Sequence, residues 1–201
     1  MSESTSSGAF ESGPFDLWDT CLREAEAIEL KYETDTDGKR RALTPREKTA
    51  NGEWEFSRLP EIYAKVVRTP SFLKWFGDWT SSNNQDTSQV VYGDTREPRP
   101  VVHVTKYHIF KNTLEPRPSS GDQRKLWFAE SIAAARGHRR EGDVYFAFIN
   151  LRNPLRSQNA DEYLENRYDG LISTPDDRLK KTYDYCVRKV DQVMQIPALL
   201  M

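Results

Sequence analysis

The hydrophobic and polar positions change texture about a third of the way along the chain. From Pro14 to Tyr32 apolar residues recur at Trp18, Cys21, Leu22, Ala25 and Ile28. That is the three-and-four spacing of one helix face, and Pro14 is well placed at a first helical turn. The stretch ETDTDGKRRALTPREKTANGE, residues 33–53, is polar and turn-rich and predicts a long loop or hinge. A second helical piece is predicted from Arg58 to Val67, ended by RTP, and a third, short one within TPSFLKWFGDW, residues 69–79, with Ser71 as its cap. Phe72, Trp75, Phe76 and Trp79 carry too much aromatic surface to leave in water, so this helix is expected to dock.

Beyond the loop SSNNQDTSQ the pattern turns to short strands rich in β-branched and aromatic residues between turn signals. They are QVVYG (89–93), RPVVHVT (99–105), LWFA (126–129), VYFAFINL (144–151), GLIS (170–173) and YDYCVRKV (183–190), with one helix, ESIAAARGH (130–138), among them. NPL (153–155) and YDG (168–170) read as turns. The class is therefore α+β: a helical N-terminal third followed by short-range, mostly antiparallel pairing. No internal repeat is present.

Composition narrows the function classes. At 201 residues the chain suits one domain of ordinary size plus an extension. The division expected is an N-terminus disordered over 1–13, from its Ser/Gly/Glu composition, a helical region over 14–68 and a main domain over 69–201. With 29 basic against 31 acidic residues there is no broad electrostatic footprint for nucleic acid. The clusters GKRRA (38–42) and RGHRR (136–140) read as solvated faces. Cys21 and Cys186 lie among apolar residues, which suits buried thiols in a reducing, cytoplasmic compartment better than a disulfide framework or a zinc site. The apolar runs are far short of the ~20 residues a membrane span needs. The start MSESTSSGAFESG lacks the basic and apolar regions of a signal peptide. No Walker loop, dinucleotide glycine fingerprint, zinc spacing or nucleophile elbow occurs, and no metal is expected.

Three histidines remain, His103, His108 and His138. His103 ends an apolar strand, with Thr105 two residues on and on the same face. A histidine and a hydroxyl so placed can hold a nucleotide ribose or satisfy each other, and the residues alone leave both open.

The surroundings of His103 supply a resemblance. VVYGDTREPRPVVHVT (90–105) resembles the VV-D-x-x-G-x-P-x-VV-Y-H-G-T block of the ADP-ribosyltransferase domains found in phage and prophage proteins, and FLKWFGDW (72–79) is similar to the F-x-x-W-F-G-D-W helix just upstream of that block. LWFAES, IAAARG, VYFAFINLRNPL, RYDGLI and YCVRKVDQVMQI follow in the family's order, so the resemblance spans about residues 69–197. It implies two small packed, mostly antiparallel sheets with NAD in the cleft between them.

It also implies roles. His103 takes the position of the histidine that holds ribose hydroxyls and Thr105 that of the neighbouring hydroxyl, with Val104 where the family has glycine. Trp127, beside Phe128, falls where relatives keep a tyrosine that stacks on nicotinamide; stacking needs only a flat π face. His138 lies near a second aromatic position, and Gln192 takes the last position, normally Glu in the most active members. Breaking the nicotinamide to ribose bond develops oxocarbenium-like charge, which a Glu stabilises directly and a glutamine does not. The implied activity is therefore mono-ADP-ribosyl transfer, with Glu130 or Asp191 as candidates for the missing carboxylate. The near-neutral charge favours a protein acceptor over nucleic acid. The expected setting is a monomeric bacterial toxin or effector, delivered by a secretion system, or a phage enzyme modifying its host.

Two other readings stand beside this one. A metal-independent ribonuclease of the compact toxin type would use His103 and His138 as acid and base, with Arg136, Arg139 and Arg140 holding phosphate. A degenerate transferase fold acting as a binding module is suggested by Val104 and Gln192.

Overall fold

The computed structural model describes residues 14–45, 55–81, 86–106, 114, 117–118, 124–157, 167–173 and 182–197. The expectation of disorder over 1–13 falls outside them. The first helix, α1 (Pro14–Ala25), buries Trp18, Cys21 and Ala25, as their spacing predicts. It ends at Ala25, seven residues before Tyr32, because Glu26, Ala27 and Ile28 donate to carbonyls three residues back, which tightens and closes the last turn.

The segment predicted as a loop holds a hairpin instead: β1 (Tyr32–Thr34) pairs antiparallel with β2 (Arg40–Ala42). Its turn is built by Asp35, whose carboxylate accepts from the backbone of Asp37 at 3.0 Å and Lys39 at 2.9 Å, and by Gly38 at φ 76°, which a side chain would disfavour. The bond from the Lys39 amide is the main influence that holds the Asp35 carboxyl below its usual range.

Two short helices follow, α2 (Glu61–Val66) and α3 (Pro70–Phe76). Thr69, not Ser71, caps α3: its hydroxyl accepts from the Phe72 amide at 3.3 Å, and Pro70 takes the first helical position, where a missing N–H costs nothing. Ser71 instead donates through its hydroxyl and amide to the Glu24 carboxylate, at 2.6 and 2.9 Å, tying α3 to α1. The aromatic helix docks as expected. Phe72 and Phe76 are fully buried, and Trp79 is buried with its indole N–H donating to the Val67 carbonyl at 2.7 Å.

The remaining strands are β3 (Val101–Thr105), β4 (Arg117–Pro118), β5 (Arg124–Ala129), β6 (Asp143–Ile149), β7 (Pro154–Ser157), β8 (Gly170–Ser173), β9 (Asp184–Val187) and β10 (Val193–Ile196), with α4 (Ile132–His138) between β5 and β6. They run in the order β10-β6-β3-β5-β9-β8-β7, with β4 on β5; β7 and β8 are parallel, and every other pairing in the path is antiparallel. The mixed α+β class is thus as predicted.

Two separate sheets were expected, and the strands form one hydrogen-bonded path instead. That path is nearly cut in two. β3 and β6 match along five residue pairs and β5 and β9 along four, whereas β3 and β5 share only Val102↔Ala129. β7 and β10 were not foreseen: NPL opens β7, and β10 is an apolar run too short to be told from a coil by period. QVVYG contributes only the isolated bridge Val91↔Pro98.

Alternation along β6 and β10 divides the core. Phe148, Met194 and Ile196 face the helices, packing with Trp18, Tyr63, Phe72 and Phe76, while Ala147, Ile149 and Val193 join Val101, Phe128 and Tyr185 on the other side. Both cysteines are free and buried, and burial pushes the Cys186 thiol up to about 12. Among the described residues no helix is long and apolar enough to cross a membrane.

Candidate functional site

Where β3 and β5 part, a cavity of about 440 Å³ opens between the two strands, α4 and the first residue of β9. Its volume lies in the range of small-molecule sites. The apolar floor comes from Val102, Val104, Ala129 and Ala135, which cluster beneath α4. Val104, which stands where glycine was anticipated from the resemblance, puts its side chain into this cluster.

His103 explains how the strands are held apart. In the register set by Val102↔Ala129 the partner of Trp127 would be Val104, yet the Trp127 carbonyl accepts from the His103 ring at Nδ1, 2.7 Å away. A side chain has replaced a backbone donor, so the carbonyl is satisfied without closing the ladder. Because a carbonyl only accepts, Nδ1 carries the proton in this contact. Phe128 steadies the ring edge to face at 5.8 Å between centroids.

Trp127 follows from strand alternation. Leu126 and Phe128 are buried, so the residue between them faces outward, and Trp127 is 37% exposed at the cavity wall. An exposed indole beside a cavity is a stacking platform, and core packing does not account for it.

His138 ends α4 and lines the same cavity, its Nε2 lying 3.2 Å from Oδ1 of Asp184. Ser131 sets the rotation of α4 by accepting from the Ala134 amide at 3.2 Å. Asp184 is 5% exposed at the start of β9, opposite Ala129, and its carboxylate belongs to the cavity lining. With the carboxylate ionised, Nε2–H is the donor. Arg139, the residue after α4, completes the wall. One cavity therefore holds a flat aromatic face, two imidazoles, a carboxylate and a guanidinium.

The other residues singled out from the sequence lie elsewhere. Thr105 is buried at the end of β3, opposite Asp143, and is not among the cavity-lining residues. Gln192 sits in a 3-10 turn (Val190–Gln192) and is 7% exposed. Its Oε1 accepts from the amides of Arg188 and Lys189, at 3.1 and 3.0 Å, and its Nε2 donates to the carbonyl of Asp169 at 2.7 Å. Backbone groups use the whole side chain, which is not among the residues lining this cavity and pins the turn before β10 to the residue before β8. Glu130 is paired with Arg99 at 2.8 Å, and Asp191 is exposed, its carbonyl accepting from the Trp75 indole. Arg136 and Arg140 are exposed, with the Arg136 guanidinium donating to the Arg140 carbonyl. His108 lies outside the described residues.

The residue that sequence reasoning missed is Asp184. Its signal was an acid opening an otherwise apolar strand, YCV, but only the pairing of β9 with β5 brings it to His138 and Trp127. Among the described residues no group of three His, Cys, Asp or Glu side chains is placed to hold a metal ion. No protein-family model matches the chain, and no curated protein matches it.

Proposed function

We propose that the chain is a mono-ADP-ribosyltransferase that moves ADP-ribose from NAD to a macromolecular acceptor, a protein side chain in preference to nucleic acid. The observation that carries this reading is the convergence of His103, Trp127, His138 and Asp184 on one cavity. Trp127 stacks on nicotinamide. Nε2 of His103 accepts from a ribose hydroxyl while Nδ1 anchors the ring to β5. Asp184, oriented by His138, supplies the negative charge opposite the oxocarbenium-like sugar, the part for which Glu130 or Asp191 was the candidate. The bond from the ribose anomeric carbon to nicotinamide nitrogen breaks, and its electron pair leaves with nicotinamide. The acceptor's lone pair forms the new bond to the anomeric carbon, and its proton passes to the Asp184 carboxylate. NAD is consumed as a substrate, and no metal takes part. A bacterial toxin, delivered effector or phage host-modifying enzyme is the setting this activity suits.

The test is to incubate the protein with NAD labelled in its adenylate portion and a cell lysate, beside His103→Ala. Label transfer that His103→Ala abolishes supports the reading; no transfer and no nicotinamide release from either protein would refute it.

One observation favours a second reading. Both histidines and Arg139 line the same cavity, the convergence that a metal-independent ribonuclease needs. Cleavage of labelled RNA by the wild type, lost in both His103→Ala and His138→Ala, would favour it over transfer.

A further inference from the structure

Arg139 is the one charged residue lining the cavity that the transfer chemistry above leaves unused. It lies just past the end of α4, where its backbone amide donates to the Ala135 carbonyl and fixes the main chain at the cavity edge. By contrast, Arg99 pairs with Glu130, Arg152 with Asp86, and Arg156 donates to Gln89. The Arg139 side chain is exposed and has no hydrogen bond or ion pair among the described residues. A guanidinium set against an apolar floor and left unpaired is a site for an anion, with planar N–H donors matched to phosphate oxygens.

The remaining walls say what else that anion carries. Trp127 offers a π face, and His103 and Asp184 line the same cavity as polar groups that suit a sugar. A flat ring, a sugar and a phosphate in one molecule make a nucleotide.

We infer that Arg139 is the phosphate-recognition residue of the site, holding the pyrophosphate of a small dinucleotide so that the donor is selected by its phosphates as well as by its ring. The inference rests on the NAD reading and adds to it the group that holds the charged centre of the donor. Losing one charge-assisted, two-pronged contact weakens binding about tenfold to a hundredfold.

The experiment is calorimetric titration of the full chain with ADP-ribose, adenosine and a short single-stranded oligoribonucleotide, for wild type, Arg139→Ala, Arg139→Lys and the charge-loss control Arg23→Ala on the exposed face of α1. The expected result is ADP-ribose affinity lowered tenfold or more in Arg139→Ala, partly restored in Arg139→Lys, unchanged in Arg23→Ala, and adenosine affinity equal in all four. Equal ADP-ribose affinity in wild type and Arg139→Ala would overturn the assignment while leaving the NAD reading standing. No binding of ADP-ribose by wild type would overturn both, and an oligoribonucleotide bound more tightly than ADP-ribose would overturn the dinucleotide as ligand.

Discussion

Glutamate in place of Gln192 is the substitution on which the resemblance and the geometry disagree most. By the resemblance, Gln192→Glu supplies the carboxylate of the most active relatives and should raise transfer. In the structure Oε1 would keep its bonds from Arg188 and Lys189, but Nε2 becomes an oxygen facing the Asp169 carbonyl at 2.7 Å and the Asn150 carbonyl at 3.4 Å. One good hydrogen bond, worth about 1 kcal/mol net, turns into a repulsive contact. A buried charge with only two amide partners adds about 2–3 kcal/mol more. The variant should be destabilised by about 3–4 kcal/mol at pH 7, a melting temperature lower by roughly 6–16 °C for a chain of this size.

The sign with pH is fixed. Burial beside two carbonyls raises the carboxyl's folded pKa above its unfolded value, so the protonated form, which can donate to Asp169, is the stable one. Stability is then present at low pH and lost as pH rises through the folded pKa. Thermal melts of wild type and Gln192→Glu at pH 5 and pH 7 should show the gap narrowing at pH 5. A variant as stable as wild type at pH 7, with faster transfer, would refute the structural role of Gln192.

Other outcomes follow from the same structure. Trp127→Ala should raise the dissociation constant for NAD about tenfold to a hundredfold, through lost stacking, and Trp127→Tyr should recover most of it. Because the indole is exposed, neither should shift stability by more than about 1 kcal/mol, which chemical denaturation checks. Thr69→Ala should cost about 1 kcal/mol in urea melts by removing the α3 cap. On the alkaline side, burial raises Cys186 and Tyr185 each to about 12, from ordinary values of 9.0 and 10.0. Both protons are lost first by the unfolded chain, so stability held below pH 9 falls by about 1.4 kcal/mol per pH unit from Cys186 alone and faster above pH 10. Cys186→Ala should flatten the slope of unfolding free energy between pH 9 and 10.

What was legible in the sequence divides along physical lines. Local periodicity located α1, the docking aromatic helix and the core strands β3, β5, β6, β8 and β9, because each buries one face or both and shows it in its pattern. The hairpin β1–β2 was hidden because its strands are exposed and polar, and only the Asp35 and Gly38 turn chemistry marks it. At the site, His103 could be singled out because it ends an apolar strand, and Trp127 only through the resemblance. Asp184 could not, since its role depends on β9 lying beside β5, a partner 55 to 61 residues away in sequence. Gln192 misled for the opposite reason. Its place in a motif was visible, but the four backbone groups that consume its amide were not.

The proposed transfer turns on Asp184 as the carboxylate of the site. Nicotinamide release from NAD, followed chromatographically with purified Asp184→Asn, Asp191→Asn and Glu130→Gln beside wild type, separates the three acids that could play that part. Release should fall at least a hundredfold in Asp184→Asn with melting temperature within a few degrees of wild type, about the value of one lost hydrogen bond. Asp191→Asn, whose side chain is exposed, and Glu130→Gln, which loses only its pairing with Arg99, should keep release within about threefold. Full activity in Asp184→Asn, or loss confined to Asp191→Asn, would contradict it.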